Sequence, residues 1–349
     1  MSSAAKITHD YEAWLRTQIP VVEVDLESKH AQMRADEFTF FRATYYLWLA
    51  RVVDQVPDAL AGASVPIVGD LHAENFGTWR DDAGDLRWGV NDFDELSRGS
   101  WLLDPLRLAV SAALSPHVDL KSKEIVDLLL DGYIDAPAGP SPRLDEAKHL
   151  AALTPKFKDA DAFFAKLGAG ASTTNVDAEV RQAAAATVAG DWSPTWHVRQ
   201  AGTGSLGHRR VVGVGRGAHG WAAREAKQLD AGTAAWARAY SSRLPTPAPE
   251  LYPSVAHAVG SSSASRRIDG WQLRALAPDE VRIELSGLAD ADASLVLTSM
   301  AAAMASVHGV DPDALATARK EAKALDRNVF HGWVKTMRQT FEQDFENSR

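Results

Sequence analysis

Two short acidic segments carry residue types suited to phosphoryl transfer. The first reads GDLHAEN at 69–75 and places Asp70 five residues before Asn75. The second reads NDFDE at 91–95 and contributes Asp92. A carboxylate can accept a proton from a hydroxyl group, and carboxylate and amide oxygens are the ligands that Mg²⁺ prefers. Together the segments predict a base and a metal clamp, the two functions that phosphoryl transfer asks of a protein.

Each acidic segment follows a predicted short strand. Residues 65–68 are apolar and end at Gly69, and residues 86–90 form a second strand after a turn rich in Asp and Gly. We therefore expect both segments to be loops at strand ends. The dipeptide Asp104-Pro105 predicts a helix start, with Asp104 as the N-cap.

An ordinary turn is the alternative interpretation of each acidic segment. Asp, Asn and Gly are common in turns because they make local hydrogen bonds or tolerate unusual backbone angles. Either segment alone is a weak signal. The two in this order, with the Asp–Asn spacing and an apolar strand before each, favour the functional interpretation.

A glycine-rich segment occurs much later in the chain. Residues 202–207 read GTGSLG, with Gly202, Gly204, Ser205 and Gly207 as candidate phosphate contacts. The segment lies between strand-like stretches, whereas a dinucleotide fold requires a helix directly after the glycines. This placement favours a loop across a β-hairpin whose backbone N–H groups face phosphates. A plain flexible hairpin is the alternative.

Three basic residues are further candidates for phosphate contact. Arg224 and Lys227 lie on the next predicted strand, and their spacing places them on opposite faces. We favour Arg224 over Lys227, and an exposed charge on an edge strand is the competing interpretation for either. Arg42 lies beside aromatic residues on a predicted helix. For Arg42 we favour a side chain that lies over the hydrophobic core, and contact with a phosphate is the alternative.

The acidic segments resemble motifs of aminoglycoside phosphotransferases and choline-kinase-like enzymes. GDLHAEN is similar to their catalytic loop, and NDFDE is similar to their metal-binding segment. The resemblance implies that Asp70 is the catalytic base and that Asn75 and Asp92 are metal ligands, with Asp94 assisting. The histidine that opens the catalytic loop in these families is Val68 here.

Most of the chain resembles a bacterial family of unassigned function, DUF2252. The segments that carry this resemblance are FTFFRA, GDLHAENFG, NDFDELSRGSWLLDPLRLA and GTGSLGHRR. Asp104 falls where the kinase-like families keep a buried Asp at a helix start, so a structural role is expected for it, as it is for His72 within the catalytic loop. The resemblance implies ATP and Mg²⁺ as cofactors and a hydroxyl-bearing small molecule or protein as the acceptor.

The predicted elements fall into a helical, a β-rich and a second helical region. We expect a helical catalytic lobe at 1–189, a small β-rich nucleotide-binding lobe at 190–280, and helices at 281–349 that pack on the catalytic lobe. This is an α+β, protein-kinase-like fold with two lobes, in which the small lobe is an antiparallel sheet. Because the glycine-rich segment follows the catalytic loop, the fold is predicted to be circularly permuted.

Composition excludes several classes of function. The chain has 349 residues, with 37 Lys+Arg against 46 Asp+Glu and a net charge of −9, which argues against general nucleic-acid binding. The absence of Cys excludes thiol nucleophiles and Cys-ligated metals. The N-terminus lacks the apolar core of a signal peptide, and no apolar run is long enough to span a bilayer. We expect a cytoplasmic protein without a membrane partner.

The motifs are compatible with four functions. The leading one is a phosphotransferase that uses Mg²⁺ and ATP. A pseudokinase that binds nucleotide without turnover is favoured by the missing histidine and by the missing lysine at position 224. Transfer of AMP is a variant of the leading fold. A metallophosphoesterase is suggested by GDLH at 69–72, but the further Asp-x-His and Gly-Asn-His elements of that class do not occur.

Overall fold

The computed structural model describes residues 2–116, 118–137 and 139–348. The chain begins with four helices, which correspond to the helical region predicted before the first strand. They are α1 (Ala4–Gln18), α2 (Glu23–Met33), α3 (Glu37–Ala43) and α4 (Tyr45–Gln55). Every residue of α4 from Tyr45 to Val52 is buried, because this helix is packed on several sides rather than on one stripe.

Four short strands follow and hold the acidic segments. They are β1 (Ser64–Ile67), β2 (Phe76–Arg80), β3 (Leu86–Val90) and β4 (Ser97–Ser100). β2 and β3 form an antiparallel hairpin, and β1 pairs antiparallel with β4. The first acidic segment therefore connects β1 to β2, and the second connects β3 to β4.

Five helices come next and divide between two cores. They are α5 (Leu103–Leu114), α6 (Ser122–Asp135), α7 (Lys148–Leu153), α8 (Ala160–Leu167) and α9 (Ala178–Ala185). α5, α6 and α7 contribute to the large hydrophobic core that α1, α3 and α4 also fill. α8 and α9 belong instead to two smaller clusters that they form with the strands after them.

The predicted antiparallel sheet is present and has five strands. The elements of this region are β5 (Thr195–Val198), β6 (Arg210–Gly217), β7 (Gly220–Gln228), α10 (Thr233–Ala237), β8 (Thr246–Pro247), α11 (Tyr252–Val259), β9 (Arg266–Ile268) and β10 (Trp271–Leu276). The strand order in the sheet is β5-β6-β7-β10-β9. β8 lies outside it and pairs with β4.

The two faces of the five-stranded sheet pack on different helices. Val180 of α9 packs with Val211 and Ala226, whereas Phe164 of α8 packs with Val212 and Ala223. Adjacent residues of a strand point to opposite faces, so α8 and α9 cover opposite faces of the sheet. These two helices fall within the predicted region 1–189 but pack on the sheet that follows it.

The last three helices pack against the large helical core. They are α12 (Asp290–His308), α13 (Pro312–Ala324) and α14 (Arg327–Glu346). α12 lies so close to α6 that a Cβ at Gly132 would be 2.7 Å from the carbonyl oxygen of Thr298. Among the described residues, no helix combines the length and apolar character needed to cross a membrane.

Candidate active site

The loop after β1 is fixed by a buried carboxylate. Gly69 has a φ of +88°, and a Cβ there would lie 2.5 Å from the carbonyl oxygen of Glu95, so the position requires glycine. The backbone N–H groups of Val68 and Gly69 donate to Asp104 at 2.7 and 3.0 Å. Asp104 thus holds the strand end from which the loop departs.

The predicted N-cap role of Asp104 is corrected by this arrangement. α5 begins at Leu103 and its N-cap is Leu102, so Asp104 lies inside the first turn. Its side chain is fully buried and also contacts His308, whose Nε2 lies 3.1 Å from Asp104 Oδ2. Position 68, where the similar families have a histidine, is Val here. The histidine that contacts the anchoring residue Asp104 is His308 of α12.

The loop closes on itself through Asn75. Asn75 Oδ1 accepts a hydrogen bond from the backbone N–H of His72 at 3.1 Å. His72 is buried, and its Nδ1 accepts from the N–H of Glu74 at 3.2 Å. Burial, reinforced by nearby arginines, lowers the pKa of His72 well below its usual value, so the ring is neutral. These contacts give His72 the bracing position that the sequence predicted.

Asp70 projects from this loop and is paired with an arginine. Arg107 of α5 is fully buried, and its Nε donates to Asp70 Oδ1 at 2.9 Å. The guanidinium group also lies over the rings of Phe41 and Tyr45, 4.3 and 5.0 Å from their centroids. Burial raises the pKa of Asp70, Arg107 opposes that shift, and the charge of Asp92 adds to it.

Asp92 and Asp94 line the same cavity as Asp70. Asp92 Oδ1 accepts from the N–H of Asp94 at 3.3 Å, and Asp94 Oδ2 forms an ion pair with Lys227. Asp94 Oδ1 is buried without a hydrogen-bond partner in the described chain. Arg267 donates to the carbonyl oxygens of Phe93 and Asp94, which fixes the backbone of the segment.

The donor set in this segment fits Mg²⁺ in its chemistry. Within the described residues, no group of three or more His, Cys, Asp or Glu side chains is arranged to hold a metal ion. Mg²⁺ in sites of this kind uses one or two carboxylates, and phosphate oxygens and water complete its shell. Asp92 and the unpartnered Oδ1 of Asp94 could supply such carboxylate oxygens, and the second lone pair of the Asn75 amide oxygen would remain for a ligand.

Of Arg224 and Lys227, Lys227 lines the cavity and Arg224 does not. They occupy opposite faces of β7, as their spacing requires. Arg224 is turned away from the cavity and donates to the hydroxyl and carbonyl oxygens of Thr187 at 2.6 and 2.7 Å. Lys227 is buried in the cavity wall beside Asp94, where burial lowers its pKa. Of these two residues, Lys227 is therefore the one placed to contact a ligand in the cavity.

The glycine-rich segment lies over Asp70 between β5 and β6. Thr203, Gly204 and Ser205 form one 3₁₀ turn, and Gly202 and Gly207 have φ angles of +74° and +104°. A Cβ at Gly204 would be 3.7 Å from Asp70 Oδ2 and 3.3 Å from the carbonyl oxygen of Arg42. The segment thus approaches the carboxylate oxygen that Arg107 leaves free.

Helix α2 holds the glycine-rich segment in this position. The N–H of Val22 donates to the carbonyl oxygen of Gly207, and Lys29 Nζ donates to that of Gly204, both at 2.8 Å. Thr203 Oγ1 donates to Gln32 Oε1 at 2.7 Å. Lys29 is buried, and burial lowers its pKa to about 8. Lys29 was not predicted as a site residue. It is one of several charged residues in α2, a helix without a clear apolar face, so the sequence does not mark it out.

Arg42 faces the cavity and does not merely cover the core. Its Nη1 lies 2.9 Å from Glu74 Oε2, and Arg282 binds the same oxygen at 3.0 Å. The Arg42 Nε is buried without a hydrogen-bond partner among the described residues.

Arg107 was not predicted as a site residue. The only sequence signal for it was a single charge within the apolar helix LDPLRLAVSAAL.

Most of the predicted site residues line one cavity of about 560 Å³, whereas Asp104, Gly207 and Arg224 are not among its lining residues. Its walls include Asp70, Asp92, Asp94, Gly204 and Lys227, which come from four segments distant in the chain. The Asp94–Lys227 ion pair joins the segment after β3 to the five-stranded sheet across this cavity. A volume of several hundred cubic ångströms is the size of a site for a small molecule or nucleotide.

Comparison with known proteins gives one similarity. A family model described as an uncharacterized protein conserved in bacteria, DUF2252, matches residues 21–187. The match covers just under half of the chain and includes both acidic segments, Arg42 and Arg107, while the glycine-rich segment lies beyond its end. No curated protein and no solved structure matches the chain.

Proposed function

We propose that this chain is a phosphotransferase that uses Mg²⁺ and ATP to phosphorylate a hydroxyl group. The observation that carries the proposal is the convergence of Asp70, Asp92, Lys227 and the glycine-rich segment on one cavity. If the acidic segments were only turns, their convergence with a buried lysine and a glycine-rich loop from a different sheet would be unexplained. A base, a metal clamp, a cation and a backbone cradle are the parts that phosphoryl transfer uses.

Asp70 is the proposed base. Its Oδ1 is held by Arg107, so Oδ2 is the oxygen that faces the acceptor. The acceptor oxygen forms a bond to the γ-phosphorus, the bond from that phosphorus to the β,γ-bridging oxygen breaks, and ADP leaves. The proton of the acceptor hydroxyl passes to Asp70 Oδ2. The raised pKa of Asp70 makes it a better proton acceptor than an exposed Asp.

The remaining residues bind and orient the nucleotide. Asp92, Asp94 and Asn75 would hold Mg²⁺, which when bound neutralises charge on the phosphates. Lys227 would supply a cation beside them, and the backbone at Gly202, Thr203 and Gly204, which lines the cavity, would contact the phosphates. Arg107 positions Asp70 and does not itself reach the cavity, since its side chain is fully buried.

A permuted protein-kinase-like fold is part of the proposal. The strand pairs β1–β4 and β2–β3 surround the catalytic-loop and metal segments, and the five-stranded sheet carries the glycine-rich loop and Lys227. The sheet follows these strands in the chain, whereas kinases place it first. The two-lobe arrangement implied by the resemblance therefore requires a circular permutation.

Nucleotide binding without turnover is the second candidate. The observation that favours it is the ion pair between Asp70 and Arg107. Arg107 opposes the rise in the pKa of Asp70 that burial causes, and this makes the carboxylate a weaker base than burial alone would.

Labelled ATP separates the candidates. The protein is incubated with Mg²⁺, a panel of hydroxyl compounds and ATP labelled at either the α- or the γ-phosphate. We expect transfer of the γ-label with ADP release by the wild type, and loss of transfer by Asp70→Asn with nucleotide binding retained. The exposed Asp191→Asn variant should behave as the wild type. Transfer of the α-label would indicate AMP transfer, and nucleotide binding without any transfer would favour the binding protein.

A further inference from the structure

Three arginines, two on strands of the five-stranded sheet and one directly after β5, converge on one buried glutamate. Glu225 of β7 is almost fully buried, and its carboxylate accepts from Arg199, Arg210 and Arg274. The Arg210 and Arg274 contacts to Glu225 Oε1 measure 2.6 and 3.1 Å. Burial alone would raise the pKa of Glu225, but the three guanidinium groups lower it to about 2, so it is ionised.

The three-arginine cluster carries more positive charge than Glu225 can balance. One carboxylate faces three guanidinium groups, and β-sheet register places Arg210 directly opposite Lys227, a pairing of like charges that is unfavourable by itself. Lys227 is matched by Asp94. Of the other nearby carboxyl groups, Glu280 is only partly ionised at neutral pH because burial raises its pKa to about 7, and Asp92 is the proposed metal ligand.

The cluster also presents unused hydrogen-bond donors to the cavity. Arg199 and Arg274 contact Glu225 through Nε, and within the described chain no protein acceptor binds their terminal nitrogens. Both side chains line the cavity, as does Arg210, whose Nη2 donates to Ser205 of the glycine-rich segment at 2.7 Å. Planar guanidinium groups that are held in place and have free N–H edges are suited to bidentate contact with phosphate oxygens.

We propose that the three-arginine cluster binds the polyphosphate chain of the nucleotide. Glu225 orients the three side chains and leaves their excess charge to be neutralised by the ligand. The inference deepens the proposed function and rests on it for the identity of the natural ligand. Arg210 links the cluster to the glycine-rich segment, so the phosphates extend from the sheet toward Asp70 and the two carboxylates after β3.

Calorimetric titration with sodium tripolyphosphate, without Mg²⁺, tests the cluster alone. We expect the wild type to bind one tripolyphosphate, and Arg274→Gln and Arg199→Gln each to weaken binding roughly tenfold or more, because each removes a charge-assisted contact. The matched control is Arg216→Gln, an exposed residue of β6 that packs over Trp221 outside the cavity. It should bind as the wild type does.

A purely structural ion-pair network predicts a different result. In that case Arg274→Gln and Arg199→Gln would lower the melting temperature and leave tripolyphosphate affinity unchanged. Absence of binding to the wild type, or equal weakening by Arg216→Gln, would also overturn the proposal. The melting temperature of each variant is measured in parallel so that a loss of binding by a folded variant can be recognised.

MgATP titrations of the same variants distinguish failure of the inference from failure of the proposed function. If the wild type binds MgATP and the two arginine variants bind it equally well, the cluster assignment is wrong and the phosphotransferase proposal stands. If tripolyphosphate binds through the arginines but MgATP does not bind, the cluster assignment stands and the phosphotransferase proposal fails.

Discussion

The carboxylate of Asp70 is oriented by Arg107, an arginine with no access to solvent. Arg107 Nε lies 2.9 Å from Asp70 Oδ1, and the guanidinium carbon lies 4.3 Å from the centroid of the Phe41 ring. A guanidinium group in apolar surroundings requires a compensating anion, and Asp70 supplies it. The ion pair therefore fixes one carboxylate oxygen and directs the other toward the glycine-rich segment.

Replacement of Arg107 by Met is expected to destabilise the fold. It removes the partner of a largely buried carboxylate, and breaking such a pair on one side costs on the order of 3 kcal/mol. Urea denaturation of Arg107→Met measures the change in the free energy of unfolding. Arg216→Met, at an exposed position, is the control and should change little. Equal stability of the two variants would show that Arg107 does not anchor Asp70.

Lys227 and Arg224 form a matched pair for testing the cavity assignment. Lys227→Met removes a cation from the cavity wall and should weaken MgATP binding roughly tenfold or more, because a charge-assisted contact is lost. Arg224→Met removes a cation of the same strand that faces Thr187 and should leave affinity unchanged. Calorimetry measures both. A greater loss in the Arg224 variant would contradict the placement of the site.

Asp104 is expected to matter for stability and for turnover. It accepts from two backbone N–H groups of the loop and from His308. In Asp104→Asn, one carboxylate oxygen is replaced by an NH₂ group, which cannot accept a hydrogen bond from these donors. We expect the free energy of unfolding to fall by about 2 kcal/mol and Asp70 to be displaced. The control is Asp326→Asn at the exposed N-cap of α14, where Asn caps as well as Asp. Similar denaturation midpoints for both variants would refute the anchoring role.

Lys29 is buried, so we expect its contribution to the free energy of unfolding to depend on pH. Its pKa falls from 10.5 to about 8 on folding. The unfolded chain therefore binds more protons at this site between these pH values, so stability from this residue rises with pH, by up to about 1.4 kcal/mol per pH unit. The unfolding free energy of the wild type relative to Lys29→Met should rise across this window. A flat difference, as expected for the exposed Lys335→Met control, would contradict burial of the charge.

Local elements of the fold were predictable from the sequence because neighbouring residues determine them. The strand at 86–90 is β3 as predicted, and Asp311 caps the helix that begins at Pro312 by accepting from the N–H of Ala314. The antiparallel sheet between the helical regions is also confirmed. Each of these depends on alternation, capping or turn residues within a few positions.

Features that depend on distant packing were not predictable in this way. Asp104 was expected to cap its helix, but α5 begins one residue earlier and the Asp104 side chain accepts from the N–H groups of Val68 and Gly69 instead. Arg107 and Lys29 acquire their roles only when α5 and α2 meet Asp70 and Gly204. The local sequence at these positions does not reveal such contacts, and which of Arg224 and Lys227 faces the cavity likewise depends on packing.

Calorimetric titration of the wild type and Asp92→Asn with ATP, with and without Mg²⁺, tests whether the cavity binds a metal–nucleotide complex. We expect the wild type to bind ATP more tightly with Mg²⁺ and Asp92→Asn to lose this dependence while remaining folded. Asp191→Asn, an exposed control of the same charge change, should keep it. Absence of ATP binding to the wild type, or Mg²⁺-dependent binding that survives in Asp92→Asn, would contradict the proposed site.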